Sequence, residues 1–538
     1  MFNLEIKVLN RILFLLFSFL LIFISINQSN YFHWSAILDQ DTMITYNSLL
    51  LSSGLEQEYR DHPAYSTFFI YGVLIKFFSI INLGPVSEIN DLIFSVNPNK
   101  VLQDLFFFCR KINVIINIFL VYFLYKSLIK LKCDEVSSSL GCIILIVSGW
   151  FTESLFVLRS ENLSIIFFLI SLIFQLKFYE SRKPQFIIIS GLFFGIAMLT
   201  KIQIIFLFIF PIFINLIYLD KFIKKNFIKN LTKNYDLLLF LFYFLFFILY
   251  LVLQLKLQTY ERFEKIKYLD LVLFIIFNFS YLFFALILNK FNYKKIKLFI
   301  IFLSLFFIGF SLSIILTIFF DLVNFVELNR YILLRLTNPF HYMVEFHVSD
   351  HAQLYENAKV NLDYFLNLFL IAINKYDYNF LKIFILLIVT IISIRNDLLN
   401  NNKDKKYIYK EKILIFFSIL FIIYILNLRG FLYYYETYVV VPYVLALSYF
   451  LKNFSEKFSK SIYIFLIIYF AYCNFYLLEK RKFEFKYYFT SQSSLSLICL
   501  DNKIYYQNNS YRDFMKYYHH RFDDDFIDKL CLDSIKSK

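Results

Sequence analysis

Apolar runs long enough to cross a bilayer recur through most of this chain, and short Lys-rich segments separate them. A bilayer core is spanned by roughly 20 apolar residues in a helix. In lipid the backbone must satisfy its own hydrogen bonds, so such runs have to be helical. The chain has 538 residues, of which 59% are hydrophobic, against the roughly half that is usual in soluble domains. The expected fold class is an all-α polytopic membrane protein.

The runs are 10–26, 106–126, 136–150, 163–179, 186–200, 202–219, 237–255, 269–288, 298–319, 380–394, 413–427, 438–451 and 461–478. They amount to about thirteen transmembrane helices. Stretch 10–26 resembles a signal sequence, but no small-residue cleavage site follows it, so it reads as a retained anchor. With the N-terminus inside, the inner loops are Lys126–Lys132, Lys177–Lys183, Lys221–Lys233, Lys290–Lys297, Lys403–Lys412 and Lys452–Lys460. Lysine clusters on the cytoplasmic side are what the positive-inside rule asks for. Stretch 65–83 is apolar apart from Lys76. If it spanned, all those clusters would flip outside, so it reads as a helix on the outer surface, begun by Pro63.

Three outer regions follow from this topology: 27–105, 320–379 and 479–538. We therefore divide the chain into a transmembrane domain, 1–478, and a small exported C-terminal domain, 479–538. The first outer loop carries surface helices. Cys499 and Cys531 share the exported tail. A disulfide in an oxidising compartment and two free thiols both remain open. The net charge of +14 does not argue for a nucleic-acid partner, because the lysines are spread over membrane-flanking loops. The expected contact is with membrane lipids.

The polar residues of the outer face are the candidates for chemistry. Asp39 and Asp41 precede a stretch in which Met43, Tyr46, Leu49 and Leu50 recur at helical spacing, closed by Gly54. One of the two acids suits the N-cap; an acid there is also able to deprotonate a hydroxyl. Arg60, Asp61 and His62 begin the next surface helix. Helix-start chemistry explains them, and so does contact with a phosphate or sugar. Glu153, Arg159 and Glu161 crowd one short outer hairpin. Lys201, with Gln203 close behind it, sits between two apolar runs on the outer side, against the positive-inside trend. It either snorkels or pairs with a lipid-linked phosphate. Arg429 and Tyr433 lie in a late outer turn rich in tyrosine. All seven histidines fall on the outer face. His341, His347 and His351 do not have the HExxH spacing, so no metal site is assigned.

The order of these features resembles the GT-C superfamily of polyprenyl-phosphate-dependent glycosyltransferases. It is closest to the bacterial branch of protein O-mannosyltransferases and the aminoarabinose transferase of lipid A. The resemblance rests on Asp39-Gln40-Asp41, Gly54, Asp61-His62-Pro63-Ala64-Tyr65, the Gly-containing span from Gly191 to Lys201, and Arg429 to Pro442. It implies an inverting transferase of the bacterial inner membrane, with catalytic loops and C-terminus outside. A polyprenyl-phosphate sugar is the implied donor, and a lipid, glycan or protein hydroxyl the acceptor. Asp39 or Asp41 is the implied base, and Lys201 and Arg429 neutralise the leaving phosphate. No cofactor is implied with certainty, and a divalent cation stays open. A polysaccharide polymerase or ligase, or a lipid-linked sugar flippase, is the alternative expectation.

Overall fold

A computed structural model describes residues 41–55, 57–58, 64–155, 157–208, 210–212, 215, 294–319, 377–399, 412–413, 415–420, 422–423, 432–452, 454–488, 499 and 521–536. Among them every regular element is helical. Ahead of the membrane bundle come α1 (Met43–Ser52), α2 (Tyr65–Ile80) and the short α3 (Ile89–Ile93). The membrane bundle follows with α4 (Pro98–Lys130), α5 (Glu135–Ile146), α6 (Gly149–Ser154), α7 (Ser160–Ser181) and α8 (Gln185–Thr200). A 3-10 helix, Ile202–Phe208, comes next. Later come α9 (Lys294–Phe319), α10 (Asp377–Leu399), α11 (Leu432–Leu451), α12 (Glu456–Tyr488) and α13 (Asp524–Lys536).

Among the described residues three helices are long and apolar enough to cross a membrane: α4, α7, and the Leu298–Leu316 part of α9. Shorter apolar helices, including α2, α5 and α8, pack with them. The expected runs 10–26, 237–255 and 269–288 and the loop 320–376 lie outside the described residues. Two runs differ from expectation. Stretch 136–150 divides into α5 and α6 after Ile146. Stretch 202–219 opens as a 3-10 turn, because Lys201 is extended (φ −158°) and ends α8 there.

Local chemistry sets the helix ends. The Asn97 side chain caps α4 by accepting from the Lys100 amide at 2.9 Å, with Pro98 in the first turn. Asp134 caps α5 by accepting from the Ser137 amide at 2.8 Å. Gly54 takes a left-handed φ of +74° just past α1, the conformation glycine holds at least cost. Thr42, not an aspartate, occupies the N-cap of α1, and no side chain bonds there. The expected one-sided apolar face of α1 proves too narrow a description. Met43, Tyr46, Leu49 and Leu50 are buried, and so are Thr45, Asn47 and Ser48. The helix is enclosed by α2 and its neighbours.

The closest helix pair is α8 with α9. Gly191 and Gly195 are four residues apart on α8 and meet α9 on one side. A Cβ on Gly191 would overlap the Phe306 carbonyl oxygen, and one on Gly309 would overlap the Ile188 carbonyl oxygen. Small residues let helix backbones approach this closely, which matters in lipid, where apolar burial gives no drive between helices. Phe194, Phe208 and Phe306 fill the space beside the contact, with ring centroids 5.2–5.5 Å apart. Gly309→Ala is therefore expected to be costly, at or above the upper end of the roughly 1–3 kcal/mol typical of overpacking. Gly141→Ala meets only the tips of Val444 and Leu128, at 3.0 and 3.1 Å, and is expected to cost less. Thermal unfolding of the two variants in detergent compares them. Equal stability would contradict the close approach of α8 and α9.

The C-terminal segment folds back onto the segment that carries α1. Phe522 packs against Tyr46 of α1 (centroids 4.9 Å apart) and stacks on Phe526 at 4.5 Å. The Arg521 guanidinium lies 3.3 Å from Glu58, and the Lys529 ammonium bonds the Ser95 carbonyl. Cys499 and Cys531 are joined as a disulfide.

Candidate functional site

The site is arranged around one face of α4. Arg110, Asn113 and Asn117 sit at helical spacing along it, and each is at most 1% exposed. Polar side chains inside a membrane helix are costly and point to function or to partners. Here each has partners. Nε and Nη2 of Arg110 both donate to Oδ2 of Asp41, at 3.1 and 2.8 Å. Oδ1 of Asp41 accepts the Leu158 amide at 2.6 Å. Both groups of this ion pair are fully buried. Burial pushes the Asp41 carboxyl above the usual carboxylate range, while the guanidinium and the Leu158 amide pull it back.

The two asparagines hold the turn that carries Leu158. Nδ2 of Asn113 donates to the carbonyls of Ser154 and Val157, at 2.6 and 3.0 Å, and Oδ1 accepts from Tyr71 Oη at 3.3 Å. Nδ2 of Asn117 donates to the same Ser154 carbonyl at 3.0 Å. Oδ1 of Asn117 accepts from Nδ2 of Asn162 on α7 at 2.5 Å. Carbonyls freed at the end of α6 thus find amide donors where water is scarce.

One residue past Leu158, a charged cluster begins. Arg159 caps α7 in extended backbone and Glu161 lies in the first turn, where the helix dipole favours an acid. Lys201 arrives from the end of α8. Its Nζ is 3.2 Å from Oε1 of Glu161, and Nη1 of Arg159 is 3.9 Å from the same oxygen. None of the three side chains is more than 7% exposed. Two cations thus converge on one buried carboxylate. Gln203, also buried, follows on the 3-10 helix.

The structure therefore brings Lys201 to Arg159 and Glu161, which the sequence had grouped in one short hairpin apart from it. Asp41 joins them through Leu158. Asp39, Arg60, Asp61, His62 and Arg429 lie outside the described residues. Glu153 and Tyr433 fall on α6 and α11, with their side chains outside the described set. Among the described residues no group of three or more His, Cys, Asp or Glu side chains forms a metal-binding cluster. Sequence reasoning missed Arg110, Asn113, Asn117 and Asn162. The available signal was a polar stripe on an otherwise apolar helix.

Residues 99–252 match the family of dolichyl-phosphate-mannose-protein mannosyltransferases. It is a GT-C family of polyprenyl-phosphate glycosyltransferases, integral to membranes. No curated protein and no solved structure matches the chain significantly. The matched stretch opens with α4 and takes in Arg110, the asparagine pair, Arg159, Glu161 and Lys201. The acidic loop around Asp39 and Asp41 lies ahead of it.

Proposed function

We propose that this membrane glycosyltransferase moves a sugar from a polyprenyl-phosphate donor to an acceptor hydroxyl, with inversion, on the outer face of the bacterial inner membrane. The observation that carries the reading is the bond from the Leu158 amide to Asp41. It ties the acidic loop to the turn that presents Arg159, Glu161 and Lys201. A base and a cationic phosphate site on one rigid support are what the reaction needs.

In this mechanism the acceptor oxygen attacks the anomeric carbon. Its proton passes to a carboxylate, the bond from that carbon to the phosphate oxygen breaks, and polyprenyl phosphate leaves. Lys201 and Arg159 stabilise the charge gathering on the phosphate. Arg429 adds to them from the late outer turn. Asp41 is a poor base because Arg110 and Leu158 occupy both of its oxygens. The base is therefore Asp39, and Asp41 positions the loop that carries it. The lysine-rich inner loops support the orientation. On α2, Phe69, Val73, Phe77 and Ile80 are exposed as one stripe, which supports a helix lying against lipid.

Purified protein incubated with labelled polyprenyl-phosphate sugars, acceptor by acceptor, tests the reading. Transfer from at least one such donor is expected. Asp39→Asn is expected to lower it by about 10²–10⁴-fold, the range for loss of a general base. Transfer undiminished in Asp39→Asn would overturn the assignment of the base. No transfer from any lipid-phosphate sugar would overturn the reaction itself.

A further inference from the structure

The outer turn between α6 and α7 has no regular structure to hold it, yet it carries both halves of the site: the Leu158 amide that seats Asp41, and Arg159 beside Glu161. Its carbonyls at Ser154 and Val157 are bonded by side chains of α4. Asn113 uses its two amide hydrogens on two different carbonyls of the turn, and Asn117 reinforces the first. Both side chains are about 1% exposed. Arg110, one turn earlier on the same face, grips Asp41 directly. A single helix face therefore fixes the acidic loop and the cationic turn against each other.

We propose that Asn113, with Asn117 in support, is a positioning residue for glycosyl transfer. It sets the Leu158–Arg159 turn so that the acid loop and the phosphate cluster stand in register. This rests on the transfer reading above. Asn113 touches neither substrate nor the reacting atoms; it acts through Leu158 on Asp41. Geometric register is worth large factors in rate, since small displacements of reacting groups are expensive. An aspartate at 113 has the same shape but presents no amide hydrogens to the two carbonyls.

The coupling to Asp41 makes the idea testable. Initial rates with the labelled donor that the wild type uses are measured for Asn113→Asp, Asp41→Ala and the double variant. Thermal stability in detergent and donor KM are measured in parallel. Asn113→Asp is expected to lower kcat at least tenfold while donor KM changes less than threefold. In the Asp41→Ala background the same change is expected to lower kcat less than threefold, because the link it works through is already broken. Tyr71→Phe removes only the bond on the acceptor side of Asn113 and is expected to lose less than threefold.

Equal losses in both backgrounds would overturn the proposal, and so would an effect confined to KM. If Asn113→Asp does not fold, Asn117→Ala removes one of the three bonds to the turn, and the same cycle with Asp41→Ala is run on it. Additivity there would overturn the proposal equally. An inactive wild type would instead count against the transfer reading.

Discussion

An Arg110→Met variant is expected to lose about 3–5 kcal/mol of stability, the cost of stranding a buried charge without its partner. The side chain sits under Asp41 with two hydrogen bonds and no exposure. Methionine fills most of its volume, so packing changes little and the loss is electrostatic. The effect has a defined pH dependence. With Arg110 gone, burial acts on Asp41 with only the Leu158 amide and the more distant Arg159 charge to oppose it, and its folded-state pKa rises further above the unfolded value. Between those two values the folded state binds more protons than the unfolded state, so stability falls as pH rises. The variant is thus expected to be nearer the wild type at pH 5 than at pH 8. Asp41→Asn added to Arg110→Met is expected to recover much of the loss, since a neutral amide still accepts from Leu158. Thermal unfolding at both pH values measures this. A variant as stable as the wild type at pH 8 would contradict the buried pair.

Lys201→Gln is expected to lower transfer by about 10²–10³-fold, comparable with loss of one strong donor to an anionic transition state. Lys201 and Arg159 share Glu161, and all three are buried. A phosphate entering there strengthens its interactions with both cations in a low dielectric. As the sugar bond breaks, charge on the phosphate grows, so the lysine contributes more in the transition state than in the bound donor. The loss should accordingly appear in kcat more than in donor KM. Lys201→Arg preserves the charge but changes its geometry, and intermediate activity is expected. Transfer within threefold of wild type in Lys201→Gln would remove Lys201 from the phosphate site.

The two predictions draw on unlike signals. Lys201 stood out in the sequence because it breaks the charge rule of its side of the membrane, and Arg159 and Glu161 because they crowd a short hairpin. Their convergence required the structure, since α7 and α8 had to be packed side by side before a residue at each end could meet. Arg110 was hidden by averaging. A run of apolar residues identifies a span, and a few polar positions do little to its mean, yet those positions decide what the helix face does. Asp41 was readable as an acid near a helix start, but its role was not. Its partners are 69 and 117 residues away, and nothing local specifies them. The break after Thr200, by contrast, was readable, because Lys201 separates the runs 186–200 and 202–219, and the helix does end there in extended backbone. The tail cysteines could be paired or free on sequence grounds, and the fold brings them together.

The clasp between α13 and α1 has a consequence for the order in which the chain assembles. Tyr46 accepts the Arg521 amide across 475 residues of chain, and the same tyrosine donates to Glu58 at 2.5 Å. Helix α1, which follows directly on the acids, therefore lacks one of its walls throughout synthesis of the membrane bundle. That wall arrives with residues 521–526, and the disulfide ties the segment together after that. Order of synthesis thereby becomes order of assembly: the acid loop is the first part of the site to be made and the last to be enclosed.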